Sequence, residues 1–368
     1  MKLNRKVSLT SASWTMHEFF AGSGLVAYGL KGMFRPIWAN DICSKKAAVY
    51  QSNFAGDHFV LDDIQNISGA NLPFAHLSWA SFPCQDLSLA GSGGGIDAQR
   101  SGLVWQWLRI LGEMPEKPAL LSIENVAGLL TVDAGVNYIK LHQALAAMGY
   151  KGGAVLVDAS HFVPQSRPRV FVIAVKQEFA IPAELRDDGP NWLHNKAATR
   201  LGGSLPEWIW WRAEEPKKRK VRLVDIIDFT VPYDKDDVLR LLSLRHREKL
   251  DGLNNAVVTG YRRTRNGKQC LELRFDGLAG CLRTPEGGSS KQFLIVKRDG
   301  QLHARLLTPR EAARLMGAPD TYILPQTNND GYKAMGDAVA MPVASFISKA
   351  FLTPLAEMIY NEQHRQTS

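Results

Sequence analysis

From Trp14 to about Val175, short apolar runs alternate with amphipathic stretches. Seven runs predict strands: "TMHEFF", "RPIWAND", "HFVLDD", "AHLSWASF", "ALLSIENV", "AVLVDAS" and "RVFVIAV". Between them, "KKAAVYQSNF", "LVWQWLRILGEM" and "NYIKLHQALAAMGY" carry helical spacing. This alternation predicts an α/β fold built on a mostly parallel sheet. The working residues of such folds lie at the carboxyl ends of the strands. After Val175 the alternation fades, and Trp, Arg and Lys accumulate in "WIWWRAEEPKKRKVR", "SLRHREKL" and "GYRRTRNGKQ". A second, smaller domain is expected there. Regular texture returns with "LLTPREAARLMGAP", whose Thr-Pro start predicts a capped helix. The end, "VASFISKAFLTPLAEMIYNEQ", predicts an apolar-faced helix that packs back onto the first domain. The expected segments are 14–178, 179–303 and 304–368.

Composition narrows the class. Of 368 residues, 45% are hydrophobic and 22% charged, which is ordinary for a globular chain long enough for two domains. The net charge of +8 favours a polyanionic partner without requiring one. Four cysteines without a CxxC pair fit a reducing compartment better than a disulfide scaffold. The basic N-terminus is not followed by an apolar core of signal-peptide length. No apolar run approaches the ~20 residues that span a bilayer. The expectation is a soluble intracellular protein.

Candidate chemistry sits at the strand ends. "FFAGSGLVAYGL" closes the first strand, and its glycines suit a tight turn with close backbone approach to a nucleotide-like ligand. The motif lacks the third glycine of a dinucleotide fingerprint, so a nucleoside cofactor without phosphates fits better. Asp41 ends the second strand, where an acid can grip two ribose hydroxyls. Asp63 ends the third, within reach of an adenine amino group. Each aspartate also has a plain reading as a helix N-cap. Cys84, in "SFPCQDLS", follows a strand instead of sitting among Val, Ile and Leu. A thiolate there is a nucleophile, with Pro83 fixing the backbone before it and "GSGGG" after it. Most lone cysteines are inert core, but Glu124 ends the next strand beside the same cleft. A partly desolvated carboxyl can hold a proton and act as an acid. Arg167 and Arg169, in "QSRPR", add fixed positive charge, although surface ion pairs would explain them too.

The motifs "FFAGSG", "SFPCQDLS", "RSGLVW", "IENV", "QSRPR", "RLLTPREAARLMGAPD" and "GDAVAMPVA" resemble, in order and spacing, those of the cytosine-C5 DNA methyltransferases. The resemblance runs from Phe19 to about Ala344 and leaves out the middle. It implies a Rossmann-like class I methyltransferase sheet with an inserted target-recognition domain. By these implications 14–178 is the S-adenosylmethionine-binding catalytic domain, 179–303 the recognition domain, and 304–368 a return segment. Cys84 would add to C6 of a flipped cytosine, Glu124 would protonate N3, and Arg169 with Arg167 would hold the base. C5 then takes the methyl from S-adenosyl-L-methionine, leaving S-adenosyl-L-homocysteine. A stacked cytosine hides C6, so the base must leave the helix. The implied cofactor pocket comprises Phe20, Ala21, Gly22, Ser23, Gly24, Leu25, Asp41, Ile42, Asp63, Ile64, Pro83, Leu103, Asp337 and Ala338. The family usually has Asn where Asp337 stands, and Asp cannot donate as Asn does.

The middle matches loosely, as a recognition domain would. "GYRRTRNGKQ" and "LRTPEGGSSKQ" read as DNA-facing loops, with Arg262, Arg263, Arg265 and Arg283 for guanine edges or phosphates and Gly287 and Gly288 for close approach. Gln85 and Ser88 complete the expected DNA contacts. "PKKRKV" has the composition of a nuclear-import tag but reads more economically as a phosphate-contacting run or a solvated cluster. Double-stranded DNA is the expected substrate, and a separate restriction endonuclease the expected partner if the chain belongs to a restriction system. A monomer is the default, located in the cytoplasm and on the nucleoid through DNA. Three rivals stand beside this reading: an RNA cytosine methylase with the same catalytic set, a non-catalytic DNA-binding relative, and a nicotinamide-dependent Rossmann enzyme. No metal site is expected.

Overall fold

The computed structural model describes residues 14–83, 102–284 and 291–365. The chain divides into two compact units: residues 1–157, 168–215 and 343–368 in the first, and 158–167 and 216–342 in the second. These cuts differ from the sequence boundaries: 179–215 lies in the first unit, and 304–342 in the second.

All seven expected strands form one sheet in the first unit. They are β1 (Trp14–Phe19), β2 (Phe34–Asp41), β3 (Phe59–Leu61), β4 (Leu77–Ala80), β5 (Leu120–Val126), β6 (Tyr150–Asp158) and β7 (Pro168–Lys176). The order is β3-β2-β1-β4-β5-β7-β6. The pairings from β3 through β5 are parallel, and β7 runs antiparallel to β5. Because β1 pairs with β2 on one side and β4 on the other, strand order reverses there. The carboxyl ends of β1, β2, β4 and β5 therefore share one edge, the usual ligand crevice of such sheets. β1 carries more polar residues than a buried strand normally does: His17 and Glu18 are both 1% exposed.

The three expected helices occur as Ser44–Asn53, Leu103–Glu113 and Val136–Ala147. Trp107, Ile110, Leu111, Tyr138 and Leu141 pack with Phe19, Ala80, Leu121 and Ile123 of the sheet in one core. The C-terminal apolar face, with Ile347, Phe351, Leu355 and Ile359, is buried as expected. Within Asn328–Arg365 an 18-residue window has a mean hydropathy of 1.4, enough by length and composition to cross a membrane, but half of it is buried. Ser348 and Lys349 interrupt the apolar run, so no continuous span shows in the sequence.

Two short strands, β8 (Arg186–Asp187) and β9 (Trp210–Trp211), pair in the first unit. The second unit holds β10 (Ala256–Arg265), β11 (Lys268–Arg274), β12 (Gln292–Arg298) and β13 (Gln301–Leu306). These form a four-stranded antiparallel sheet, ordered β11-β10-β12-β13. The "GYRRTRNGKQ" stretch is thus a hairpin and not the expected loop. Asn266 and Gly267 take φ values of 49° and 74°, the left-handed pair that a two-residue hairpin turn requires. The Thr308 cap is realised in full: its hydroxyl accepts from the Glu311 N–H, and the Glu311 carboxylate accepts from the Thr308 N–H. That carboxylate also holds the buried Arg305 guanidinium at 2.6 Å.

Candidate active site

The turn after β1 is held in a shape few side chains allow. Phe20, Gly22 and Gly24 have φ of 56°, 57° and 84°. A Cβ on Gly24 would lie 2.5 Å from the Phe54 ring and 2.8 Å from Tyr50, so glycine is required on two counts. Phe20, left-handed without being glycine, stores strain of a kind often found at ligand sites. Ser23 and Leu25 are buried, and Phe20 and Gly22 partly exposed.

The β2 tip locks onto this turn. The Ala21 N–H donates to the Asn40 carbonyl at 2.8 Å. One Asp41 oxygen accepts from the Gly22 N–H at 2.9 Å, and the other from the Cys43 N–H at 2.8 Å. Each oxygen keeps a lone pair for a ligand hydroxyl. Ile42, beside this buried acid, is 67% exposed. An apolar face in water next to a fixed acid and an open glycine turn suits a purine nucleoside. Asp63 caps a short 3₁₀ turn, its carboxylate accepting from the Gln65 N–H at 2.9 Å, so the plain reading of that residue also holds. Ile64 is core, with 3% exposure. Leu103 opens the helix Leu103–Glu113 and packs partly against that core.

Sequence reasoning passed over the residues that orient these tips. Asn40 donates to the carbonyls of Val60 and Asp62, tying the β2 tip to the β3 tip. Glu18 lies under the turn, accepting from the Ala27 N–H and the Tyr50 hydroxyl at 3.3 Å each. Burial pushes its pKa up to about 8, against the lowering pull of those two bonds. An acid in the middle of an apolar strand was the available signal.

Glu124, at 7% exposure, lies near the end of β5. Because β7 runs antiparallel, Val126 pairs with Arg169 and the start of β7 lies beside the end of β5. The Arg169 Nε approaches the Glu124 carboxylate at 3.0 Å. The expected acid is therefore half of an ion pair here, since the antiparallel register brings its neighbour across. Asn125 donates to the Phe82 carbonyl at 3.0 Å and accepts from the Val126 N–H. This ties the end of β5 to the chain two residues before Cys84. Pro83 is exposed. Cys84, Gln85, Ser88, Gly287, Gly288 and the glycine run 91–95 lie outside the described residues.

Arg167 is placed differently from Arg169. It is 2% exposed, and within the second unit its guanidinium donates to the carbonyls of Leu282, Gly336 and Ala338 at 2.7–2.9 Å. Asp337 is exposed, and its carboxylate accepts from the Thr284 hydroxyl. Gln165 bridges the Leu315 carbonyl and the Leu282 N–H. On the hairpin, Arg263 stacks 4.7 Å from the Tyr261 ring and Arg265 pairs with Glu272 at 2.6 Å. Arg262 is partly exposed and Arg283 exposed. Among the described residues, no cluster could hold a metal ion.

A sheet in this order, with one antiparallel strand and a glycine turn facing an acidic strand tip, defines a Rossmann-like class I methyltransferase. Two solved structures share the fold. The S. pombe Dnmt2 methyltransferase has a TM-score of 0.61 at 18% identity, covering 93% of this chain and 99% of that one. A putative DNA modification methyltransferase encoded within an E. coli prophage has 0.57 at 20%, covering 93% and 99%. The family model for C-5 cytosine-specific DNA methylases matches residues 14–353, and the chain belongs to that family. It is a DNA (cytosine-5)-methyltransferase. The Type II methyltransferase M.Bsp6I of Bacillus sp. (strain RFL6) is 26% identical over 338 residues, 90% of this chain and 96% of the relative. M1.ScrFI of Lactococcus lactis subsp. cremoris, also a Type II methyltransferase, is 25% identical over 356 residues, 96% and 80%.

Proposed function

We propose that Cys84 is the nucleophile, Glu124 the acid and Arg169 the residue that orients its carboxyl group. The observation that carries this is the Glu124–Arg169 pair at the end of β5, where Asn125 holds the backbone leading to Cys84. In this mechanism the Cys84 sulfur bonds to C6 of an extruded cytosine, breaking the C5–C6 double bond. Glu124 gives its proton to N3 as the sulfur adds and takes it back when the sulfur leaves, so charge does not build up on the ring. Carbon C5 thereby becomes nucleophilic, and loss of its proton after methylation expels the thiol. Pairing a covalent nucleophile with an acid divides one high barrier into lower ones. Arg167, buried among carbonyls, holds the segment that leads into Arg169.

S-adenosylmethionine is the cofactor in this reading, and it supplies the electrophilic methyl group when bound. The left-handed glycine turn, the lone pairs of Asp41 and the exposed Ile42 fit its nucleoside end. Phe20, Pro83 and Leu103 complete the pocket assigned within the first unit, whereas Asp337 and Ala338 belong to the second. Recognition of duplex DNA is assigned to the second unit, including Arg262, Arg263, Arg265 and Arg283. The Type II names of the relatives support a modification role beside a separate endonuclease. A cytoplasmic, nucleoid-bound monomer is the working form.

Bisulfite sequencing of DNA from cells expressing the chain tests the activity and reveals its sequence context. A duplex of that context carrying 5-fluorocytosine should trap a covalent adduct with the parent chain and none with Cys84→Ser. Normal methylation by Cys84→Ser would overturn the mechanism.

A further inference from the structure

The basic stretch "SLRHREKL" has no part in the chemistry above. It forms the helix Leu244–Asp251 in the second unit. Between this helix and the end of β11 lies a groove of about 590 Å³. Arg245, His246 and Lys249 line it from the helix, and Arg274, Phe275 and Asp276 from the strand end. Asp276 is committed to the Arg274 guanidinium. Among the described residues, no carboxylate forms an ion pair with Arg245 or Lys249. These two stand four residues apart, on one helical face. The Lys249 ammonium lies 5.1 Å from the centre of the Phe275 ring, an attraction that places it over an apolar floor.

The helix itself is firmly held. Ser243 caps it by accepting from the His246 N–H, and Leu250 is fully buried. The buried Lys297 ammonium donates to the Leu250 and Asp251 carbonyls at 2.9 Å each, satisfying the C-terminal end. The held helix presents Arg245 and Lys249 as two exposed cations one turn apart, a spacing that suits a chain of regularly placed negative charges.

We propose that this groove binds the phosphate backbone of the substrate duplex, through Arg245 and Lys249, whatever the base sequence. The proposal rests on duplex DNA being the substrate. It adds a contact surface outside the hairpin and loop arginines assigned to recognition. Phosphate contacts of this kind set register and supply much of the affinity, while carrying no sequence information.

The test is the double variant Arg245→Gln/Lys249→Gln of the full chain, titrated by fluorescence anisotropy at several salt concentrations. The probes are a random-sequence duplex of about 30 base pairs, the methylated-context duplex, and poly-glutamate. Losing two phosphate contacts should lower the slope of log K against log salt by about 2 and weaken binding roughly 10- to 100-fold at low salt. The weakening should be equal for both duplexes, with S-adenosylhomocysteine affinity and melting temperature unchanged. An unaltered slope and affinity would overturn the proposal, as would a loss confined to one duplex. Loss of poly-glutamate binding with DNA binding intact would assign the groove to an acidic polypeptide instead. A parent chain that binds neither duplex would show the failure to lie in the DNA reading itself.

Discussion

Replacing Glu18 by Gln should stabilise the protein at neutral pH, and the gain should grow with pH. Glu18 is 1% exposed beneath the glycine turn. Burial raises its pKa from 4.5 to about 8, with the Asp41 charge adding in the same direction. The folded chain therefore keeps this proton between pH 4.5 and about 8, where the unfolded chain has lost it. Stability falls as pH rises through that window, by about 1.4 kcal/mol per pH unit. At pH 7 this group costs about 3 kcal/mol relative to a side chain that does not titrate. Glutamine keeps the shape. Its carbonyl accepts from the Ala27 N–H, and its amide donates to the Tyr50 oxygen, whose own proton turns to His58 at 3.1 Å. The Glu18→Gln substitution should raise Tm by roughly 4–6 °C at about pH 7, little near the acid end of the window and most above its upper end. Thermal melts of both proteins across that range measure it. A difference between them that stays flat with pH would refute the argument, because the carboxyl would then not be held protonated in the fold.

Two further substitutions probe the elements that shape the two units. Gly24→Ala forces a left-handed alanine against Phe54 and should cost about 2–4 kcal/mol, with a matching loss of S-adenosylhomocysteine affinity in a calorimetric titration; unchanged affinity would remove the turn from the cofactor site. Glu311→Gln leaves the buried Arg305 without its counter-charge and sets an amide NH2 against one of the two N–H groups, of Thr308 or Asp228, that the carboxylate accepts from. Urea unfolding should show a loss of about 3–5 kcal/mol.

Period and turn chemistry are local, so the seven strands and the three helices between them were legible along the chain. The sequence also singled out the residues at the strand tips, since a parallel sheet of this length leaves its carboxyl ends free for chemistry. The Thr308 cap was readable for the same reason: Ser/Thr and Glu three residues apart satisfy each other within one turn. The Asn-Gly signal of the hairpin was equally local and was passed over, because the surrounding arginines read as a DNA-facing loop. What the sequence did not determine were pairings between distant segments. That Arg169 meets Glu124 follows from β7 running antiparallel to β5, a choice no residue in either strand announces. That Arg167, two positions earlier, serves carbonyls near 282 and 336–338 follows from where the second unit closes. Local propensity is set by neighbours along the chain, whereas the charge state and partner of a buried side chain are set by whatever the fold packs against it.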